Sequence, residues 1–229
     1  MKRDVGVIIV AAGSGSRTES TELKQFRWVA GKPMLLHSLQ TFQARKDVAM
    51  VVCVLPPGRV GDPPPWIFQS DPDRLLLSVG GRHRTESVMN GVEDLPAECE
   101  IVIVHDAARP LVSGETISRV IDEARAGNVA VAALPVTDTL KRVDSQNKVV
   151  ITVNRDGLWR AQTPQAFPRK ILEQAHRDAR EVHRTASDDA ALCEHLNVQI
   201  VVVPGSERAA KITTESDFAL VEALSIFRE

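Results

Sequence analysis

Residues 5–17 read Val-Gly-Val-Ile-Ile-Val-Ala-Ala-Gly-Ser-Gly-Ser-Arg. The apolar run Val5–Ala12 is unbroken and stops at a glycine-rich turn. A strand with one wet face alternates apolar and polar residues; an unbroken run suits a strand covered on both faces, as in parallel sheets flanked by helices. A basic start, Met1-Lys2-Arg3, precedes the run and mimics a signal peptide. The run is short, Asp4 interrupts the basic start, and the glycine turn follows at once, so a strand is the expected reading.

The same alternation continues along the chain. Val48–Leu55, Leu75–Val79, Ile101–His105, Val129–Leu134 and Val198–Val203 are further strand candidates. Between them lie helical patterns: one opened by Pro33 with Leu35, Leu36, Leu39 and Phe42 at helical spacing, one over Thr85–Leu95, and one capped by Ser113 and carrying Ile117, Val120, Ile121 and Ala124. Helices are also expected from Pro168 to about Arg180, over Ser187–Leu196, and from the N-cap Thr214 through Leu224. The pattern predicts an α/β fold, a Rossmann-like three-layer sandwich around a mainly parallel sheet, with residues 1–229 forming one domain. One stretch departs from it. From Val136 to Arg155, a polar turn separates Thr137–Arg142 from Val149–Val153, which predicts a protruding β-hairpin. Apolar residues on such an arm need a partner to cover them.

The turn after the first strand lies where α/β folds bind ligands, beyond the carboxyl ends of the strands. Glycines there let backbone N–H groups approach phosphate oxygens. Two familiar motifs are excluded. A dinucleotide fingerprint needs a glycine where Thr18 stands, and a P-loop needs Gly-Lys-Ser/Thr, which is absent. Arg17 and Lys24 are either solvated loop cations or the charges that hold a polyphosphate, one as a planar fork and one as a point charge. Asp106 ends the Ile101–His105 strand. It suits Mg²⁺, the usual escort of a triphosphate, or a cap for the following turn. His105 reads as a packed histidine rather than a general base.

Composition narrows the classes. Lys and Arg number 28 against 30 Asp and Glu, so the net charge is −2 and no basic surplus for nucleic acid exists. No apolar run approaches the roughly 20 residues of a membrane span. Cys53, Cys99 and Cys193 are scattered without a CxxC pair, which fits a reducing compartment and a cytoplasmic location.

Taken together, Ala11–Lys24, Gly80–Ser87, His105–Pro110, Asp138–Arg142, Asn154–Trp159, Gln162–Gln165 and Lys211–Thr213 resemble the 2-C-methyl-D-erythritol 4-phosphate cytidylyltransferase family. The likeness spans nearly the whole chain in order. It implies transfer of CMP from CTP to a sugar phosphate, with Mg²⁺ as cofactor and pyrophosphate released, in non-mevalonate isoprenoid precursor synthesis. By this resemblance Arg17, Lys24, Arg155 and Lys211 are the catalytic cations. Ala11, Ala12, Gly13, Ser14, Gly15, Gly81, Ser87, Asp106 and Ala107 would bind CTP. Asp106, Arg109, Thr139, Arg155 and Thr163 would bind the acceptor, and Asp106 would touch the metal, held largely through CTP phosphates. In such enzymes the hairpin arm crosses to a second subunit, so residues 136–155 would form a dimerisation arm in a homodimer.

Three positions depart from the family pattern: Leu23 where proline is frequent, Arg82 where an acidic or polar residue is frequent, and Ala209-Ala210 where Asn-Ile is frequent. A sister cytidylyltransferase acting on ribitol 5-phosphate would share the CTP half. A glycosyltransferase would carry Asp-x-Asp where Asp106-Ala107-Ala108 stands, and a non-catalytic nucleotide-binding regulator could dispense with the four cations. The chain stops soon after the last predicted helix, so a tail-fused bifunctional form is not expected.

Overall fold

The structure, a computed structural model, describes residues 2–13 and 22–227. Ser14, Gly15 and Arg17 therefore lie outside the described residues. β1 (Val5–Val10) is followed by a short ladder of β2 (Trp28–Val29) with β3 (Lys32–Pro33), then α1 (Met34–Gln43), β4 (Val48–Leu55), a single turn α2 (Pro57–Val60), β5 (Leu75–Val79) and α3 (Arg84–Asp94). The chain continues through β6 (Ile101–Asp106), α4 (Gly114–Arg125), β7 (Val129–Pro135), β8 (Leu140–Val143), β9 (Val149–Val153) and β10 (Trp159–Pro168). It ends with α5 (Arg169–Glu181), α6 (Asp189–Cys193), β11 (Ile200–Pro204) and α7 (Glu215–Ile226).

Seven strands form one sheet in the order β11-β7-β10-β6-β1-β4-β5. Only β10 runs against its neighbours; the other pairs are parallel. Side chains alternate across β1, so Val5, Val7 and Ile9 enter one buried layer and Ile8 the other. The first layer packs under Leu35, Leu39 and Phe42 of α1 and Ile117, Val120 and Ile121 of α4. The second packs under Val88 and Val92 of α3 and Leu172 and Ala175 of α5. This is the three-layer α/β sandwich that the unbroken apolar runs predict.

Besides the two-residue strands β2 and β3, the sequence pattern does not announce β10. It contains Pro164, which disfavours an interior strand, and three polar residues, Gln162, Thr163 and Gln165, that are all buried. Each finds partners in place of water. Gln162 exchanges hydrogen bonds with the backbone of Ser206, the Thr163 hydroxyl accepts from the Asp106 N–H, and Gln165 bridges Asp188 and the Ala190 N–H. The proline sits where the β10–β7 register shifts, between Ala161 and Gln165. α6 is also shorter than the Ser187–Leu196 pattern suggests.

β8 and β9 pair only with each other, as a separate antiparallel ribbon. Val149, Val150 and Ile151 are 62%, 58% and 49% exposed, so most of the ribbon's apolar surface is uncovered in the single chain.

Candidate active site

The sheet order reverses at β1. β4 and β5 extend one way from it, and β6 and the later strands the other. Loops leaving β1 and β6 therefore diverge, and a crevice opens between their carboxyl ends. A cavity of about 500 Å³ occupies it. Val10 pairs with Asp106 in register, which puts the residues after both strands on the same rim.

The floor is rigid. The Ala11 N–H donates to the Val54 carbonyl at 2.9 Å, and the Ala107 N–H donates to the Val10 carbonyl at 3.2 Å. The buried Gln25 amide donates to the Ala11 carbonyl at 2.6 Å. On the opposite wall the loop after β5 comes hard against Ala12. A Cβ on Gly80 would lie 2.2 Å from that of Ala12, so only glycine permits the approach. The Gly81 N–H donates to the Ser87 hydroxyl at 3.0 Å, and that hydroxyl donates to the His83 carbonyl at 3.1 Å.

Four basic side chains line the cavity, drawn from three segments: Lys24, the neighbours Arg82 and Arg84, and Lys211. Lys24 enters from the loop before α1, and its Nζ donates to the Ile212 carbonyl at 2.6 Å. Leu23 just before it has φ −59°, the value that a proline ring would impose. A proline at this position would keep the same φ. Arg84 enters from the first turn of α3, and Lys211 from the strap before α7. That strap is pinned by Asp217, which accepts from the N–H groups of Thr213 and Thr214 at 2.7 and 2.8 Å in a capping box.

Asp106 is the carboxylate that two of them engage. Lys211 Nζ lies 2.6 Å from one oxygen and Arg84 Nη2 3.5 Å from the other. Burial works against its ionisation, but Lys211 and then Arg84 outweigh it and hold the carboxyl down at about 2. His105 behind it is fully buried between α1 and β10. Its ring packs edge-on against Phe42, and its nitrogens contact the Thr163 hydroxyl and the Arg109 carbonyl, each at 3.1 Å. Burial pushes its pKa down to about 4, so it is a neutral packing residue at physiological pH.

Of the residues singled out in the sequence, Ala11, Ala12, Gly13, Lys24, Gly81, Arg82, Ser87, Asp106, Ala107 and Lys211 line this one cavity. Arg109 lines a neighbouring cavity of about 380 Å³ that shares Lys211, and donates to the Ala209 carbonyl at 2.8 Å. Thr163 is buried behind Asp106. Thr139 and Arg155 are exposed on or beside the arm, where Arg155 donates to the Thr137 carbonyl. Arg82 is exposed; its N–H donates to the Glu86 carboxylate at 2.7 Å, a contact indifferent to the Arg82 side chain. Ala209 is buried and contributes its backbone to Arg109.

Sequence reading passes over Arg84 and Gln25. Arg84 carried a usable signal: it opens a helix, where the macrodipole disfavours a cation, so it needs carboxylates nearby. Nothing in the sequence marks Gln25 apart from any polar loop residue.

A cation-lined crevice at a strand-order reversal, next to a glycine-rich sequence and with one carboxylate and no nucleophile–base pair among the described residues lining it, defines an α/β nucleotidyltransferase site. The comparisons specify it further. A family model for 2-C-methyl-D-erythritol 4-phosphate cytidylyltransferase (IspD) matches residues 5–226. The chain is 39% identical to the enzyme of that name from Syntrophus aciditrophicus, over 97% of this chain and 96% of that one. It is 38% identical to the one from Desulforamulus reducens, over 96% and 95%. The crystal structure of the Thermus thermophilus enzyme superposes with a TM-score of 0.82 at 34% identity, covering 99% of this chain and all of that one. The chain belongs to the 2-C-methyl-D-erythritol 4-phosphate cytidylyltransferase family.

Proposed function

We propose that the protein transfers CMP from CTP to 2-C-methyl-D-erythritol 4-phosphate, giving 4-CDP-2-C-methyl-D-erythritol and pyrophosphate in the non-mevalonate route to isoprenoid precursors. The observation that carries this reading, beside family membership, is the convergence of Lys24, Arg84 and Lys211 on the rim after β1 and β6. The nucleophile is a phosphate monoester with a second pKa near 6, already largely ionised at neutral pH. No general base is needed, and His105 is buried away from that role. An oxygen of the acceptor phosphate attacks the α-phosphorus of CTP. The bond from that phosphorus to its bridging oxygen breaks, and pyrophosphate leaves. Repulsion between two anions opposes the encounter, so the site must supply positive charge and alignment.

In this reading Arg17 and Lys24 hold the triphosphate as charge builds on it, with the backbone of Gly13, Ser14 and Gly15 around the phosphates. Ala11, Ala12, Gly81 and Ser87 surround cytosine, and Asp106 and Ala107 meet the ribose. Lys211 stands between the two cavities and faces the acceptor, with Arg109 and Thr163 on its side. Thr139 and Arg155 serve the acceptor site of a second subunit. The uncovered valines and isoleucine of the ribbon support that homodimer, because burying them requires a partner.

Mg²⁺ fits as a companion of the nucleotide and not as a resident ion. Among the described residues no three His, Cys, Asp or Glu side chains gather into a metal cage. Asp106 is a lone carboxylate engaged by two cations, which suits an ion bound mainly by phosphates. When bound, the ion would offset phosphate charge. The cytoplasm is the proposed compartment. No helix among the described residues is long and apolar enough to cross a membrane, and all three cysteines are buried and free.

The test is pyrophosphate release from CTP with methylerythritol phosphate or ribitol 5-phosphate as acceptor. Turnover confined to the first supports the assignment; turnover confined to the second replaces it with the sister activity. Lys24→Ala should lower turnover by roughly 10²-fold or more with little change in the denaturation midpoint. Equal loss of both would contradict the role given to Lys24.

A further inference from the structure

We infer that Asp189, at the start of α6, is a positioning residue for the nucleotide site, acting through Arg84. Arg84 is clasped by two carboxylates from distant parts of the chain. Its Nη1 lies 2.5 Å from Asp189 and its Nη2 3.5 Å from Asp106. The stronger contact is therefore with the residue outside the cavity. Asp189 is 1% exposed, and its second oxygen lies 3.1 Å from Nε2 of His176 on α5, itself buried. The segment around it is pinned from β10. Gln165 donates to Asp188 at 2.8 Å and accepts from the Ala190 N–H at 3.2 Å, while Asp188 caps α6 by accepting from the Ala191 N–H at 3.0 Å.

This arrangement has a consequence for charge. A guanidinium beside an unshared carboxylate forms a bidentate pair with it. Without Asp189, Arg84 would close on Asp106, compete with Lys211 and leave the rim facing CTP. With Asp189 buried and fixed, Arg84 is held back at 3.5 Å and keeps a free edge toward the cavity it lines. Burying a carboxylate is costly unless it is paired, so Asp189 and Arg84 depend on each other.

The inference rests on the proposed CTP site, and calorimetric titration of the purified protein with CTP in Mg²⁺ separates the two. Failure of the unaltered protein to bind CTP would remove the site itself. If it binds, Asp189→Asn should weaken CTP roughly 10-fold or more and raise the KM for CTP, leaving the KM for the acceptor unchanged. Arg84→Met should do the same, and the double variant should be no weaker than Arg84→Met alone. Additive losses, or unaltered CTP affinity in Asp189→Asn, would overturn the inference. Asp189→Glu keeps the charge and moves it by one methylene, so it tests the placement if Asp189→Asn does not fold. It should also weaken CTP, and full CTP affinity in that variant would equally refute the positioning role.

Discussion

Replacing Lys211 by methionine keeps the stem and removes the charge nearest Asp106. The gap between the ordinary aspartate value of 3.8 and about 2 measures how strongly the folded protein favours the ionised carboxyl. At about 1.4 kcal/mol per pH unit this is worth roughly 2.5 kcal/mol. Lys211, at 2.6 Å, supplies the larger part and Arg84, at 3.5 Å, the smaller. The Lys211 side chain is 40% exposed, so solvent screening trims its share, and a loss of about 1–2 kcal/mol is expected near neutral pH. The sign follows from linkage. A depressed carboxylate stabilises the fold above the unfolded value, and that stabilisation is lost as pH falls from 3.8 toward about 2. The difference between the parent protein and Lys211→Met should thus be largest near neutrality and shrink in acid. Urea denaturation followed by circular dichroism at several pH values measures it. A constant difference across that range would mean that Lys211 acts through packing alone, and the electrostatic reasoning would fail.

Three further outcomes are expected. His105→Gln should flatten the acid limb of stability. The unfolded histidine takes up a proton near 6.5 while the buried one resists until about 4, so the parent loses up to about 3 kcal/mol across that window and the variant should not; denaturation midpoints against pH decide it. Ile151→Asp on the exposed ribbon should leave the melting temperature of the isolated subunit nearly unchanged while shifting the mass measured by light scattering from dimer to monomer. An unaltered dimer would show that the ribbon is not the interface. Arg155→Ala should lower kcat/KM for the acceptor by roughly 10²-fold without weakening CTP, and if the arm serves a neighbouring site, mixing it with Lys24→Ala subunits should restore some activity.

Much of the architecture is written in residue types. The unbroken runs at Val5–Val10, Val48–Leu55 and Ile101–Asp106 have no polar face to present to water, so they had to become interior parallel strands. The ribbon was legible for the opposite reason, because Val149–Val153 follows a polar turn and has no helix to pack under. β10 was not legible. Its buried Gln162, Thr163 and Gln165 become tolerable only when Ser206, Asp106 and Asp188 arrive from elsewhere in the chain. The site divides in the same way. Ala11 and Asp106 sit at strand ends and Lys24 and Lys211 in short motifs, whereas Arg84 gains its meaning from Asp189, 105 residues away.

The proposed activity is defined by its donor nucleotide and its acceptor. Incubation with Mg²⁺, methylerythritol phosphate and each of CTP, ATP, GTP and UTP, followed by phosphorus NMR, reports both at once. With CTP, the coupled resonances of a diphosphate diester should appear together with free pyrophosphate, and conversion with the other three should be far slower. Equal conversion of all four nucleotides, or none with CTP, would contradict it.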